Sequence, residues 1–116
     1  MIKVNSSIQK EIIRYQEQLS FFRISLQQLT VSTPSELSTR IWCREVAFTM
    51  AQSQSLITKI FKTRKLPYRD LAKQFLCRIS SLKRNSKYIL ALFLLKHGDY
   101  HFLNEHLSLS ILDNGF

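Results

Sequence analysis

The spacing of apolar residues in the first quarter of the chain is the feature that most constrains its fold. Between residues 5 and 29 seven large apolar side chains recur in alternating steps of four and three, and most of the residues between them are polar. That pattern is the a/d seam of a helix that packs against one neighbour, and it predicts one long helix over residues 5–29. Asn5, Ser6 or Ser7 can cap its N-terminus. The seam consists of Ile8, Ile12, Tyr15, Leu19, Phe22, Leu26 and Leu29.

A seam this narrow has two possible neighbours. It can meet the same seam of a second copy of the chain, and the seven residues are then a dimer interface. It can equally pack inside the chain's own bundle. The first interpretation predicts a homodimer, and the sequence does not choose between the two.

The scarcity of turn residues extends the helical interpretation to the whole chain. Only two Gly and two Pro occur in 116 residues, while 45% of the residues are apolar. Few turns and an ordinary apolar content predict an all-α protein, a single helical bundle of about five to six helices over residues 1–116. Residues 107–112 alternate like a strand, but a lone strand has nothing to pair with, so we interpret them as the frayed end of the last helix and its tail.

The middle of the chain has a recognisable helix start. Thr33-Pro34-Ser35-Glu36 has the form of a capping box, with Thr33 as the N-cap, and predicts a helix from there to about Gln52. Its apolar residues cover more than one face, so we expect it to be central and largely buried. A polar break at residues 52–55 precedes a short amphipathic helix that ends near Lys65. Pro67 then disfavours helical geometry at Leu66 and predicts a turn.

The last third of the chain predicts a buried helix and a short final one. Asn85 or Ser86 can cap a helix over about residues 87–97, and its apolar run from Tyr88 to Leu95 belongs in a core or an interface. Gly98 fits a left-handed helix end. The final helix would be capped by Asp99 and would turn three residues inward: Phe102, Leu103 and Leu107.

Positive charge is confined to one quarter of the chain, which we call the basic segment (Lys59–Lys87). It holds ten of the seventeen Lys and Arg residues and one acid, Asp70, so it carries the whole formal net charge of +9. Such a concentration predicts a surface for a polyanion, although a solvated basic face with no partner has the same composition. The residues predicted to contact nucleic-acid phosphates are Lys62, Arg64, Lys65, Arg69, Lys73, Arg78, Lys83, Arg84 and Lys87.

Residues 68–84 permit two interpretations. In the first they form a helix-turn-helix, with Leu71 on the first helix, Cys77 near the turn and Leu82 anchoring the second helix. Leu76 would then occupy the position that usually takes Gly, at a steric cost. In the second interpretation they form one unbroken helix, which we favour because nothing between Leu71 and Leu82 demands a turn. Its apolar stripe would be Tyr68, Leu71, Ala72, Phe75, Ile79 and Leu82.

Catalytic, metal and targeting signals are weak. His97, His101 and His106 are the one candidate metal cluster, but Gly98 is expected to break the helix between the first two, so we expect no metal and no cofactor. The two cysteines, Cys43 and Cys77, form no disulfide framework or zinc pattern and indicate a reduced, cytoplasmic protein. The N-terminus turns polar too early for a signal peptide, and no apolar run reaches the ~20 residues of a membrane span. Without paired acids or a Gly-rich loop, we do not expect an enzyme.

Short motifs along residues 16–80 give a family resemblance. These are Leu19-Ser20-Phe21, Gln27-Gln28-Leu29, Arg40-Ile41, Leu66-Pro67, Leu71-Ala72 and Leu76-Cys77. In this order they resemble the flagellar transcriptional regulators of the FlhD kind, although Trp42 stands where that family has a glycine. The resemblance implies an all-helical homodimer that works with a partner activator on bacterial promoters. It also implies that Cys77 matches the family's inter-subunit cysteine.

Together these features predict a nucleic-acid-binding protein, a small transcriptional regulator that uses the basic segment on DNA rather than RNA. The alternative is a non-enzymatic protein-interaction module. That module would be an adaptor or a secretion-type chaperone, whose basic face meets an acidic partner and whose seam takes a partner helix.

Overall fold

The computed structural model describes residues 2–98 and 100–103, with side chains described from Ser7 onward. Within these residues the chain is all-helical and has no strand, which confirms the predicted fold class. None of the described helices is long and apolar enough to cross a membrane. The helices are α1 (Ile2–Phe21), α2 (Leu26–Ser32), α3 (Leu37–Ala51), α4 (Gln54–Thr63), α5 (Tyr68–Phe75), α6 (Ile79–Arg84) and α7 (Ser86–His97).

Helix α7 is the centre of the core, as its apolar run predicts. It begins one residue earlier than expected, after Asn85, and most of its side chains are buried around the whole circumference. Such a helix must be covered on every side, because each exposed apolar face would lose the free energy of burial. α3 covers it most extensively, and α1 and α2 pack on it as well.

Hydrogen bonds of Tyr15 and Glu11 help to hold α1 against the rest of the bundle. The Tyr15 hydroxyl donates a 2.7 Å hydrogen bond to the carbonyl of Ala91 on α7. The carboxylate of Glu11, the one buried charged side chain among the described residues, accepts bonds from the backbone N–H groups of Phe102 (3.2 Å) and Leu103 (2.7 Å). A buried carboxylate is tolerated here because both of its oxygens have donors.

The predicted long helix over residues 5–29 is wrong, because the chain turns between α1 and α2. Arg23 adopts a left-handed conformation (φ 61°) and Ile24 turns into the core. The Ser25 hydroxyl then accepts from the Gln28 N–H (3.2 Å) while the Gln28 side chain accepts from the Ser25 N–H (3.0 Å). This reciprocal capping box starts α2. Burial of Ile24, which lies outside the seam, accompanies the break in the helix.

The break divides the seam between two elements. Tyr15, Leu19 and Phe22 are buried inside the chain's own core, so they follow the intramolecular interpretation. Leu26 and Leu29 lie on α2 and no longer continue the line of α1. A continuous three-heptad contact is therefore excluded, and the homodimer stays a prediction that would rest on the remaining seam residues.

The predicted capping box at Thr33 is also wrong. α3 begins at Leu37, and its N-cap, Glu36, makes no side-chain cap bond. The Thr33 hydroxyl instead donates to the carbonyl of Leu29 (2.7 Å) and closes the end of α2. The intervening carbonyls of Pro34 and Ser35 accept from the Arg40 guanidinium at 3.0 and 2.9 Å.

Helix α3 is less buried than predicted. It turns Cys43, Val46, Ala47 and Met50 into the core, while three of its large apolar residues are exposed. α7 takes the one buried face, and the opposite face is left in solvent. The exposed residues are Leu37, Ile41 and Phe48.

The predicted left-handed geometry at Gly98 is wrong as well. Gly98 has an extended backbone (φ −76°, ψ 165°), and glycine is needed there because a Cβ would overlap the ring of Tyr100. Leu103 is buried as expected, but Phe102 is exposed. The predictions for Asp99, Leu107 and residues 107–112 lie outside the described residues.

Candidate nucleic-acid interface

Residues 68–84 form a helix-turn-helix, and the favoured interpretation as one unbroken helix is wrong. α5 ends at Phe75, and its C-cap, Leu76, adopts the left-handed conformation (φ 49°, ψ 49°) expected of a glycine. The N–H groups of Leu76 and Cys77 both donate to the carbonyl of Ala72, and α6 begins at Ile79. The turn between the two helices is three residues long.

Burial on both sides of the turn explains why the chain bends at a leucine. Leu71 on α5 and Leu82 on α6 are fully buried, and Phe75 and Cys77 pack partly against the same core. On a straight helix Leu71 and Leu82 would lie about 16 Å apart along the axis. The turn brings both into one core, and Leu76 itself stays 92% exposed. Burial of its neighbours opposes the steric cost of the left-handed residue.

Helix α6 presents a polar, basic surface away from the core. With Leu82 directed inward, the 100° step per residue places Ser80 and Arg84 on the opposite, outer side of the helix, with Lys83 about 100° and Ile79 about 60° from Leu82, so Ile79 borders the core. All four are exposed. The Lys83 ammonium lies 5.8 Å from the centre of the Tyr68 ring, which links α6 to the start of α5.

Arg84 faces a groove between α6 and the loop before α3. The groove has a volume of about 550 Å³, and Glu36, Trp42, Cys77 and Ser81 lie along its walls with Arg84. Arg84 therefore shares its surroundings with an acid and an aromatic ring, whereas Lys83 lies near the ring of Tyr68.

The end of α4 contributes the second part of the basic surface. Arg64 caps α4 in a left-handed conformation (φ 59°), and its guanidinium carbon lies 3.9 Å from the centre of the Phe21 ring. This cation–π contact ties the end of α1 to the end of α4. Lys59 pairs with Asp70 (Nζ–Oδ2 2.6 Å), which joins α4 to α5 and neutralises the one acid of the basic segment.

The predicted phosphate-contacting residues are all on the surface. Each is exposed, and within the described residues none of them forms an ion pair with a carboxylate. The structure brings six of them onto or beside the helix-turn-helix and three onto the end of α4 and the loop after it. They are Arg69, Lys73, Arg78, Lys83, Arg84 and Lys87 in the first group, and Lys62, Arg64 and Lys65 in the second.

No alternative chemistry is built into the described residues. Among them no group of His, Cys, Asp and Glu side chains could hold a metal ion; His106 lies outside them. Cys43 and Cys77 are free thiols. Cys43 is buried, and burial raises its pKa to about 12, so it is not a nucleophile.

The chain is similar to several RNA polymerase sigma factors. It is 29% identical over 103 residues to sigma factor SigI2 of Acetivibrio thermocellus, which covers 89% of this chain and 39% of that protein. It is 28% identical over 98 residues to SigI of Bacillus subtilis, which covers 84% of this chain and 39% of that protein. SigI6 of Acetivibrio thermocellus is 29% identical over 96 residues, 83% of this chain and 38% of that protein. No protein-family profile matches the chain.

These relatives overturn the resemblance to the FlhD family. They are sigma factors, and the similarity to them runs through most of this chain, whereas the FlhD motifs are short and are interrupted by Trp42. The inter-subunit role implied for Cys77 falls with that resemblance. The relatives are named for a role in transcription and not for catalysis, which agrees with the expectation of a non-enzymatic protein. The chain spans about two fifths of the length of the curated relatives it matches.

Proposed function

We propose that this chain is a promoter-binding part of a SigI-type RNA polymerase sigma factor and that it contacts duplex DNA through α5, the turn and α6. The observation that carries the proposal is the helix-turn-helix at residues 68–84, whose second helix has an exposed basic face. Similarity to sigma factors over most of the chain supports the same conclusion. Because the chain spans only part of those relatives, we assign to it contact with the promoter and not the whole activity of a sigma factor.

In this proposal α6 lies in the major groove and α5 crosses the backbone, as in other helix-turn-helix proteins. Arg78 precedes α6, Lys83 lies in its last turn, and Lys87 lies in the first turn of α7. Their charges neutralise phosphates and fix the register of α6, while side chains on its outer side meet the base edges. Lys62 and Lys65 extend the phosphate contacts beyond the helix-turn-helix.

The partners follow from the same proposal. The principal ligand is DNA rather than RNA, because an α-helix fits the wide major groove of B-form DNA and not the deep, narrow one of RNA. The protein partner would be RNA polymerase, after which the relatives are named. Such a protein acts in the cytoplasm.

A binding titration against salt tests the proposal. If about six of the nine cations contact phosphates, the logarithm of the binding constant should fall with the logarithm of salt concentration with a slope near −5. Duplex DNA, single-stranded DNA and RNA are titrated in parallel, and duplex DNA should bind most tightly. A flat salt response would contradict the proposal and leave the protein-interaction module as the better interpretation.

A pair of charge-matched variants shows whether the helix-turn-helix carries the binding. The triple variant R78A/K83A/R84A should lose most of the affinity and flatten the slope by about 3. The control K10A/R44A/K96A removes three exposed cations from α1, α3 and α7 and should bind nearly as the unchanged protein does. Equal losses in the two variants would mean that net charge, and not this surface, governs binding.

A further inference from the structure

Ile79 is an apolar residue that the core buries only in part. It is the first residue of α6, and its side chain is 38% exposed. Leu82 supplies the buried anchor of the same helix, with no exposed surface. Around the helix Ile79 lies between Leu82 and Lys83, about 60° from the first and about 40° from the second, so it borders both the core and the basic surface.

Phosphate binding gives no reason for a branched alkyl group at this position. Cations contact the DNA backbone, and an apolar side chain gains nothing from a phosphate. In the major groove, however, the C5-methyl group of thymine is the one apolar group that a base pair presents. The first residues of a recognition helix are the ones that reach the base edges. Ile79 is at that end of α6.

We propose that Ile79 is a specificity-determining residue that reads the C5-methyl group of a thymine in the bound duplex. This inference rests on the proposed function and adds a base preference to it. Lys83 follows Ile79 by four residues, which is about 6 Å along the helix axis. One base-pair step is about 3.4 Å, so the thymine lies within about two base pairs of the site that Lys83 contacts.

Replacement of thymine by deoxyuridine tests the contact, because the two bases differ only in that methyl group. A binding site is first selected from a pool of random duplexes with the unchanged protein. Each thymine in it is then replaced by deoxyuridine, one at a time, and affinity is measured at fixed salt. At one position the replacement should weaken binding about fourfold, the effect of one lost methyl contact.

The variant Ile79→Ala should bind the thymine and deoxyuridine duplexes equally at that position. Ile79→Val keeps a branched alkyl group and should retain most of the difference. Leu76→Ala is the matched control, because Leu76 is also an exposed apolar residue of the basic segment but lies in the turn. It should retain the full thymine preference. Unfolding curves of the three variants establish that each is folded.

Three results would overturn the inference. These are a selected site with no methyl-sensitive thymine, an Ile79→Ala variant that still prefers thymine, and a preference lost in Leu76→Ala instead. None of these results would contradict the proposed function, which is tested separately by the salt dependence of binding to duplex DNA. Absence of any salt-dependent duplex binding would overturn both.

Discussion

Three buried residues of the core hold protons that they would release more readily in water. Burial raises the pKa of the Cys43 thiol to about 12. Burial also raises the pKa of Tyr15, with smaller contributions from Tyr100 and Tyr88, and it raises the pKa of Tyr88. In each case the neutral form is favoured because a charge in the core would lose its hydration. The consequence is that the stability of the fold depends on pH on the alkaline side.

We predict that Cys43 makes the protein less stable as the pH rises above about 8.5, the ordinary pKa of a thiol. The unfolded chain releases the Cys43 proton there, while the folded chain keeps it until the pH approaches 12. Stability is therefore complete below the unfolded pKa and is lost as the pH rises, by at most about 1.4 kcal/mol per pH unit. The measurement is the free energy of unfolding in urea between pH 7.5 and 9.5, with a reducing agent present.

The variants Cys43→Ala and Cys77→Ala separate this effect from a loss of stability at alkaline pH that has other causes. Cys43→Ala lowers stability at every pH because it leaves a cavity, but it should flatten the pH dependence. Cys77, which is only partly buried, serves as the control, and its replacement should leave the dependence unchanged. An equal slope in the unchanged protein and in Cys43→Ala would contradict the prediction.

At the scale of the helices, the sequence predicted elements better than the joins between them. The apolar run of α7 and the short amphipathic α4 lie close to where their patterns place them. The break before α2 was not predicted, the start of α3 was placed too early, and the turn after α5 belonged to the interpretation that was not favoured. Ile24 and Leu76 show why. At each of these breaks the chain leaves the helix so that apolar side chains there reach the core, and the spacing of residues along the sequence does not reveal which side chains the core will bury. The Ser25-x-x-Gln28 capping box was a local signal that could have located the first of these turns.

Some residues of the candidate site could be predicted from the sequence and others could not. Its cations could be predicted because long basic side chains are nearly always exposed. The role proposed for Ile79 could not be predicted, because its spacing from Leu82 places it in the apolar stripe on α6 as on an unbroken helix. The spacing does not show that 38% of its side chain stays exposed.

We predict that Leu76→Gly stabilises the protein by about 1 kcal/mol. Leu76 has a positive φ that strains a residue with a Cβ, and its exposed side chain contributes almost no burial. The control is Gln74→Gly, an exposed position within the right-handed turns of α5, which should destabilise by a similar amount. Both are measured by chemical denaturation, and a loss of stability in both variants would contradict the assigned turn.

At the scale of the whole molecule, the fold class and the exposure of the cations were predictable from the sequence, whereas the partner of the seam was not. Scarce Gly and Pro indicated helices, and the cations of the basic segment are all exposed. The predicted seam, however, is continuous, whereas in the structure its middle residues are buried in the chain's own core. A heptad pattern reports that a helix has a neighbour and does not report whose helix that neighbour is.

The predicted homodimer can be tested through the ends of the seam. If the chain dimerises there, its mass in light scattering should be twice the 13.7 kDa of one chain. The double variant I8E/L26E should return it to 13.7 kDa, because charges would be buried at the interface. Val31→Glu, an exposed change on α2 outside the seam, should have no effect. A mass of 13.7 kDa for the unchanged protein would show the dimer prediction to be wrong.

The junction between α6 and α7 has a consequence for how the protein meets its ligand. A single residue, Asn85, separates the two helices, and its side chain donates a 2.9 Å hydrogen bond back to the Ser81 carbonyl. The helix that would read DNA is thus followed at once by α7, the most buried of the described helices. Because Leu82 anchors α6 in the core, a change in its tilt would disturb the core packing, and we expect α6 to lose little conformational entropy on docking. The strain of an imperfect fit would fall on the duplex, and sequences that bend or twist easily would be preferred even at base pairs the protein does not touch.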